Sequence, residues 1–206
     1  LAALAACAPR APGADEQRAQ ELTVGSARFR IRYYPEDATS AAQVRRALER
    51  AVPRLARWGG PRYPVTVTIH PTHEALEAEV HRQGYDWLRA WARFQTIDLQ
   101  SPRTWSFLGP SERKLDELVT HELTHCVMYQ LSGDDLTWMY KEIPRWFAEG
   151  VASVSAGQGY RYGGIEALFE FYPEKLPGSG DGDPGRGRAA AHLGPQPRGP
   201  HGDPDT

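Results

Sequence analysis

The sequence predicts one α+β domain, and three observations carry that prediction. Short stretches with apolar residues at every second position alternate with longer ones whose apolar residues recur every three to four. Their order is strand, helix, strand, helix, strand, helix, helix, with no internal repeat. The foldable part is about 150 residues, a usual size for a single domain.

The first strand is expected over 27–34, where Phe29, Ile31 and Tyr33 alternate with Arg28, Arg30 and Arg32. A helix follows, with Thr39 or Ser40 as its cap and Val44, Leu48, Val52 and Leu55 at helical spacing, ending before Gly59-Gly60. Residues 64–70 read as a strand with Val65, Val67 and Ile69 on one side. Thr72 caps a short helix that stops near Gly84, and a loop heavy in Trp and Tyr comes next. Residues 95–100 read as a strand, with Ile97 and Leu99 on one face and Thr96 and Asp98 on the other. Ser111 opens a long helix that runs to about Leu131 and stops at Gly133; a last helix begins at Pro144 and runs to about Ser155. The domain is therefore placed at 22–176. In the remaining segment, 177–206, fourteen of thirty residues are Gly or Pro, a composition that cannot build a core.

The net charge of −2 comes from nearly balanced acids and bases without a long single-sign run, which argues against nucleic acid as a partner. The two cysteines, Cys7 and Cys126, give no disulfide framework. Leu1 to Ala6 form a short apolar run that closes on Leu4-Ala5-Ala6-Cys7 and resembles a bacterial lipobox. On that reading residues 1–7 end a lipoprotein signal peptide, Cys7 is lipidated, and 8–21 are a flexible tether. The protein would then sit on the bacterial cell envelope and touch the membrane only through its lipid. The other reading is an Ala-rich terminus with an incidental cysteine. No other stretch approaches the ~20 apolar residues of a membrane span.

The chemistry is concentrated in His121-Glu122-Leu123-Thr124-His125, on the helix that Ser111 opens. Two histidines four positions apart lie one turn above each other, so their ring nitrogens can converge on one ion at ~2.0–2.1 Å. Glu122 is rotated about 100° from His121, which sets its carboxylate beside the ion as a base. A lone buried histidine is ordinarily a hydrogen-bonded core residue. Two of them with a glutamate between, on a helix apolar at Leu115, Leu118, Val119, Leu123, Cys126, Val127 and Leu131, reverse that reading, because unpaired burial would cost several kcal/mol. Cys126 points away from the ion and is expected to pack in the core. His70, His73 and His81 are expected at the surface or at caps.

A second signal is Pro144-Arg145-Trp146-Phe147-Ala148-Glu149-Gly150-Val151-Ala152, where one carboxylate lies in an apolar helical stretch. Glu149 needs a cationic partner, and either Arg145 or a metal serves. Gly150 is expected to let two helices approach closely. Three protein ligands would leave the fourth position of a zinc ion open.

These two segments, and more loosely Ile97 to Pro102, resemble the gluzincin metallopeptidases of the thermolysin-like clan, in particular bacterial peptidase-MA-like domains. The resemblance covers roughly 29–155. It implies the upper subdomain of a thermolysin-like fold: a small mixed sheet packed on the active-site helix and on a second helix that carries the Glu ligand, with the lower subdomain missing. It implies one Zn2+ held by His121, His125 and Glu149, with Glu122 as general base acting on a metal-activated water. It also implies that Thr96, Ile97, Asp98 and Leu99 form an edge strand that pairs with extended substrate. Where thermolysin has an Asp one turn after its Glu ligand, this chain has Ser153. Tyr160 and Tyr162 are the nearest candidates to stabilise an oxyanion, with packing as the alternative role. The expected activity is hydrolysis of peptide or protein substrates. The rival is a zinc-binding envelope protein that holds a partner in the cleft without cleaving it.

Overall fold

Five strands and four α-helices make up the residues that the computed structural model describes, 16–107, 109, 111–140 and 143–159. All belong to the first of two compact units, Leu1–Gly164 and Ile165–Thr206. Cys7, Tyr160, Tyr162 and the Gly/Pro-rich segment lie outside the described residues. Among the described residues no helix is long and apolar enough to cross a membrane.

The sheet starts with a hairpin of β1 (Arg18–Val24) and β2 (Ala27–Tyr33). Its two-residue turn is Gly25-Ser26, with Gly25 at φ +59°, the positive value that a tight hairpin turn needs. β2 runs parallel to β3 (Val65–His70), and β3 runs parallel to β5 (Thr96–Gln100). β4 (Ala90–Ala92) closes the sheet antiparallel to β5, giving the order β1-β2-β3-β5-β4. The α+β fold class with a mixed sheet is therefore the one expected.

Three differences from the sequence reading have physical causes. The tether expected over 8–21 gives way to β1 at Arg18, because pairing with β2 and bonds such as Arg30 to Glu21 (2.7 Å) hold a strand in which only Leu22 is buried. Thr96 to Leu99 are not an edge strand. β5 has β3 on one side and β4 on the other, and Ile97, Asp98 and Leu99 are all buried. Asp98 tolerates this because its carboxylate meets His70 Nε2 at 2.9 Å and Arg93 at 3.3 Å. His70 is correspondingly buried rather than superficial.

One face of the sheet, with Phe29, Ile31, Val65, Val67, Ile69, Ile97 and Leu99, forms the main core with α1 (Ala38–Arg54) and α3 (Glu112–Ser132). α1 begins one or two residues before its expected caps, and Ser40 lies inside it, buried, 3.1 Å from Ser101 Oγ. The other face carries the short α2 (His73–Val80), whose Leu76 and Val80 pack with Leu88. Thr72 caps α2 by accepting from Ala75 N–H, and His81 ends it in the left-handed conformation at φ 54°. His73 is half-buried at its start, 3.2 Å from Gln100.

Ser111 caps α3 as expected, its Oγ accepting from Lys114 N–H at 3.3 Å. At the far end Gly133 is pressed against Thr137 and Trp138, and an added Cβ would come within 2.9 Å of Thr137 Oγ1. α4 (Arg145–Ala156) packs on α3. Pro144 stands just ahead of its first residue.

The close approach of α4 to α3 does not use Gly150, which is exposed and where a Cβ would meet nothing within 4 Å. Ala148, Ala152 and Ala156 make it instead; they recur every four residues and are all buried. Gly150→Ala should therefore stabilise the fold by roughly 0.5–1 kcal/mol through helix propensity, while Ala152→Leu should cost about 1–3 kcal/mol through overpacking. Urea unfolding of the two variants checks this, and a destabilised Gly150→Ala would return the helix contact to the glycine.

Candidate metal centre

The core packing of α3 fixes which way its polar residues face. Leu115, Val119, Leu123, Cys126 and Val127 are buried in the main core, and His121 and His125 stand one turn apart toward α4. The alanine stripe of α4 brings Glu149, the residue after Ala148, to the same place.

The donor atoms form a tight triangle. His121 Nε2 and His125 Nε2 are 3.2 Å apart, and Glu149 Oε2 is 3.3 Å from the first and 3.9 Å from the second. Donors at ~2.0–2.1 Å around a tetrahedral ion are separated by about 3.3 Å, which two edges of the triangle match and the third exceeds. Among the described residues His125 Nδ1 is buried without a hydrogen-bond partner, and the polar contacts of this ring lie on the Nε2 side. The three residues can hold a metal ion, and among the described residues they are the His/Cys/Asp/Glu group that can. Arg145 is the weakest of the influences on Glu149, behind both histidines.

The charges of the metal-free centre are consistent with a place for a cation. Burial opposes a charged His121, yet the hydrogen bond with Glu149 and the charges of Glu122 and Glu149 outweigh it and shift this ring upward. Burial and then the His121 charge push His125 down to about 4. The hydrogen bond from His121 holds Glu149 below the usual carboxylate range.

Glu122 lies beside the triangle and is 8% exposed. Burial pushes its carboxyl up to about 7, against the pull of His121 and of a hydrogen bond from the Ala92 backbone. The Ala92 backbone of β4 thus lies beside Glu122. Arg93 N–H donates to Thr96 O (2.8 Å) and Arg89 O accepts from Gln100 N–H (2.9 Å), so both residues direct backbone groups toward β5. By strand alternation Ala90 and Ala92 turn theirs to the open edge of the sheet, where Ala92 meets Glu122.

Three neighbours escaped the sequence reading. Tyr129, one turn after His125, stacks on that ring at 6.2 Å and 17°, a relation its spacing contains. Ala92 carries no motif. Gln158 is buried and places Oε1 3.1 Å from His121 Nδ1, a contact that Ser153 does not make. Cys126 is in the core as expected, where burial pushes its thiol up, with its sulfur 3.7 Å from Thr96 O. The apolar recess of about 340 Å³ between α3 and α4, lined by Val127, Phe147 and Val151 among others, includes none of the four site residues.

No protein-family model matches the chain, and no curated protein matches it. Among solved structures it is similar to an aminopeptidase N family protein from Idiomarina loihiensis, at 10% identity and a TM-score of 0.41. The similarity covers 73% of this chain and 26% of that one, so this chain spans about a quarter of that protein's length.

Proposed function

We propose that this chain is a zinc-dependent peptidase. The observation that carries the reading is the donor triangle of His121, His125 and Glu149 with the buried carboxylate of Glu122 beside it. Three protein donors, rather than four, are the ligand number of a catalytic site and not of a closed structural one. When bound, the ion supplies Lewis-acid polarisation of the scissile carbonyl and acidifies water.

The residues of the chain divide the remaining work. Glu122 takes a proton from the attacking water at its carboxylate and passes it to the leaving amine. The Ala92 backbone beside that carboxylate favours its ionised form. The open edge of β4 offers the backbone groups of Ala90, together with Ala92 C=O, to an extended peptide, and this line of acceptors and donors leads to Glu122. The substrate-pairing role assigned to Thr96–Leu99 thus passes to β4.

Two measurements test this reading. Purified protein should hold one zinc per chain, and Glu149→Ala should lose most of it, because removing one of three donors breaks the chelate. Full zinc in that variant, by elemental analysis, would return Glu149 to Arg145. Glu122→Gln should keep the zinc but lower cleavage of a peptide pool by ~10²–10⁴-fold, since an amide cannot accept the proton. Equal cleavage by both proteins would remove Glu122 from the chemistry. Zinc in both with cleavage by neither would favour a centre that binds a partner without cutting it.

We also propose a lipid anchor at Cys7 and an envelope location, on the strength of Leu4-Ala5-Ala6-Cys7. A precursor with a secretory signal ahead of Leu1 should fractionate with bacterial membranes, and Cys7→Ser should not be lipidated. An unmodified Cys7 in the wild-type mass spectrum would end this proposal.

A further inference from the structure

We infer that Gln158 is a positioning residue for the metal centre, holding His121 in the tautomer whose Nε2 is free to bind a cation. The inference rests on the metal-binding reading above. Gln158 is 7% exposed, and its Oε1 lies 3.1 Å from His121 Nδ1. A carbonyl oxygen only accepts, so the ring nitrogen facing it must donate. With the proton on Nδ1, a neutral imidazole has its lone pair on Nε2. Nε2 is the atom that faces His125 Nε2 at 3.2 Å and Glu149 Oε2 at 3.3 Å. In the charged ring Nε2–H is shared with Glu149; the bond to Gln158 keeps the other proton on Nδ1, so that it is Nε2 that yields its proton to a cation, and it fixes the plane of the ring.

α4 builds this contact. It ends at Gly157, which takes φ 72°, a left-handed value that glycine adopts without strain, and donates its N–H to Val154 O at 3.1 Å. The turn carries the chain off the helix axis, and Gln158 comes back over α3 at a residue 37 positions earlier in sequence. α4 and the turn that ends it thus engage both nitrogens of the same ring, Glu149 at Nε2 and Gln158 at Nδ1. Among the described residues His125 Nδ1 has no hydrogen-bond partner, and Gln158 is the one of them that bonds a ring of the triangle from outside it.

The test is zinc affinity of the full chain, measured by competition with a chromophoric chelator for wild type, Gln158→Leu and Gln158→Glu, with far-UV circular dichroism to establish folding. Gln158→Leu should bind zinc ~10–100-fold more weakly, and Gln158→Glu, whose carboxylate still accepts from Nδ1, should stay near or above wild type. Unchanged affinity in Gln158→Leu overturns the inference. So does an equal loss in both variants, which would assign the residue to packing. If Gln158→Leu does not fold, the imidazole nitrogen shifts of His121 in zinc-loaded wild type decide: a protonated Nδ1 with the metal on Nε2 supports the role, and a metal on Nδ1 or an unprotonated Nδ1 overturns it. Wild type that binds no zinc at all defeats the metal reading itself, an outcome distinct from a zinc-loaded wild type matched by Gln158→Leu.

Discussion

The rotation of α3 about its own axis is the constraint on which the centre depends. It is set by burial of Leu115, Val119, Leu123, Cys126 and Val127 against the sheet and α1. Each large aliphatic among them contributes roughly 1.5–3 kcal/mol by leaving water. A turn of 100° would expose that stripe and drive His121, Glu122 and His125 into an apolar core. The helix has one orientation that avoids both costs, and in it the two imidazoles face α4 while Glu122 faces β4.

That orientation completes nothing until α4 arrives, and its arrival is a matter of side-chain size. Ala148, Ala152 and Ala156 let the helix lie close enough on α3 for a short carboxylate side chain to span the gap. Glu149 is half exposed, so it pays less for its charge than the buried Glu122 does. The two carboxylates consequently differ: contact with His121 holds Glu149 below the usual range, while burial lifts Glu122 to about 7. The proposed division of labour, Glu149 as ligand and Glu122 as base, draws on that difference.

Much of this was legible in the sequence, and what was not has identifiable reasons. The spacing of His121 and His125 and the carboxylate in Ala148-Glu149-Gly150 carry their meaning locally, within one turn of helix, and the triangle they form agrees with it. The caps at Thr72 and Ser111 are equally local. β1 and β4 were missed because strands held by backbone pairing, one with a single buried residue and the other three residues long, leave no periodic trace. Gly150 misled because a small residue beside a ligand suggests close contact, yet its position on the helix turns it outward. Gln158 could not be found by any local rule. Its partner is on another helix, and only the left-handed turn at Gly157 reveals where it goes.

The misreading of β5 leads to the last connection. Asp98 gives that strand the polar alternation of an edge, but the charge is neutralised from the sheet's outer face by His70 and Arg93. Arg93 follows Ala92 directly, and its N–H bonds Thr96 O in the same strand that carries Asp98. The side chain and backbone of Arg93 thus join β4 to β5 at two points beside Ala92. A three-residue strand has few ladder bonds of its own, so this added link does much to hold the true edge in register. Ala92 in turn reaches Glu122. The buried acid that makes β5 look like a sheet border therefore helps to fix the neighbouring strand, whose backbone at Ala92 lies beside Glu122.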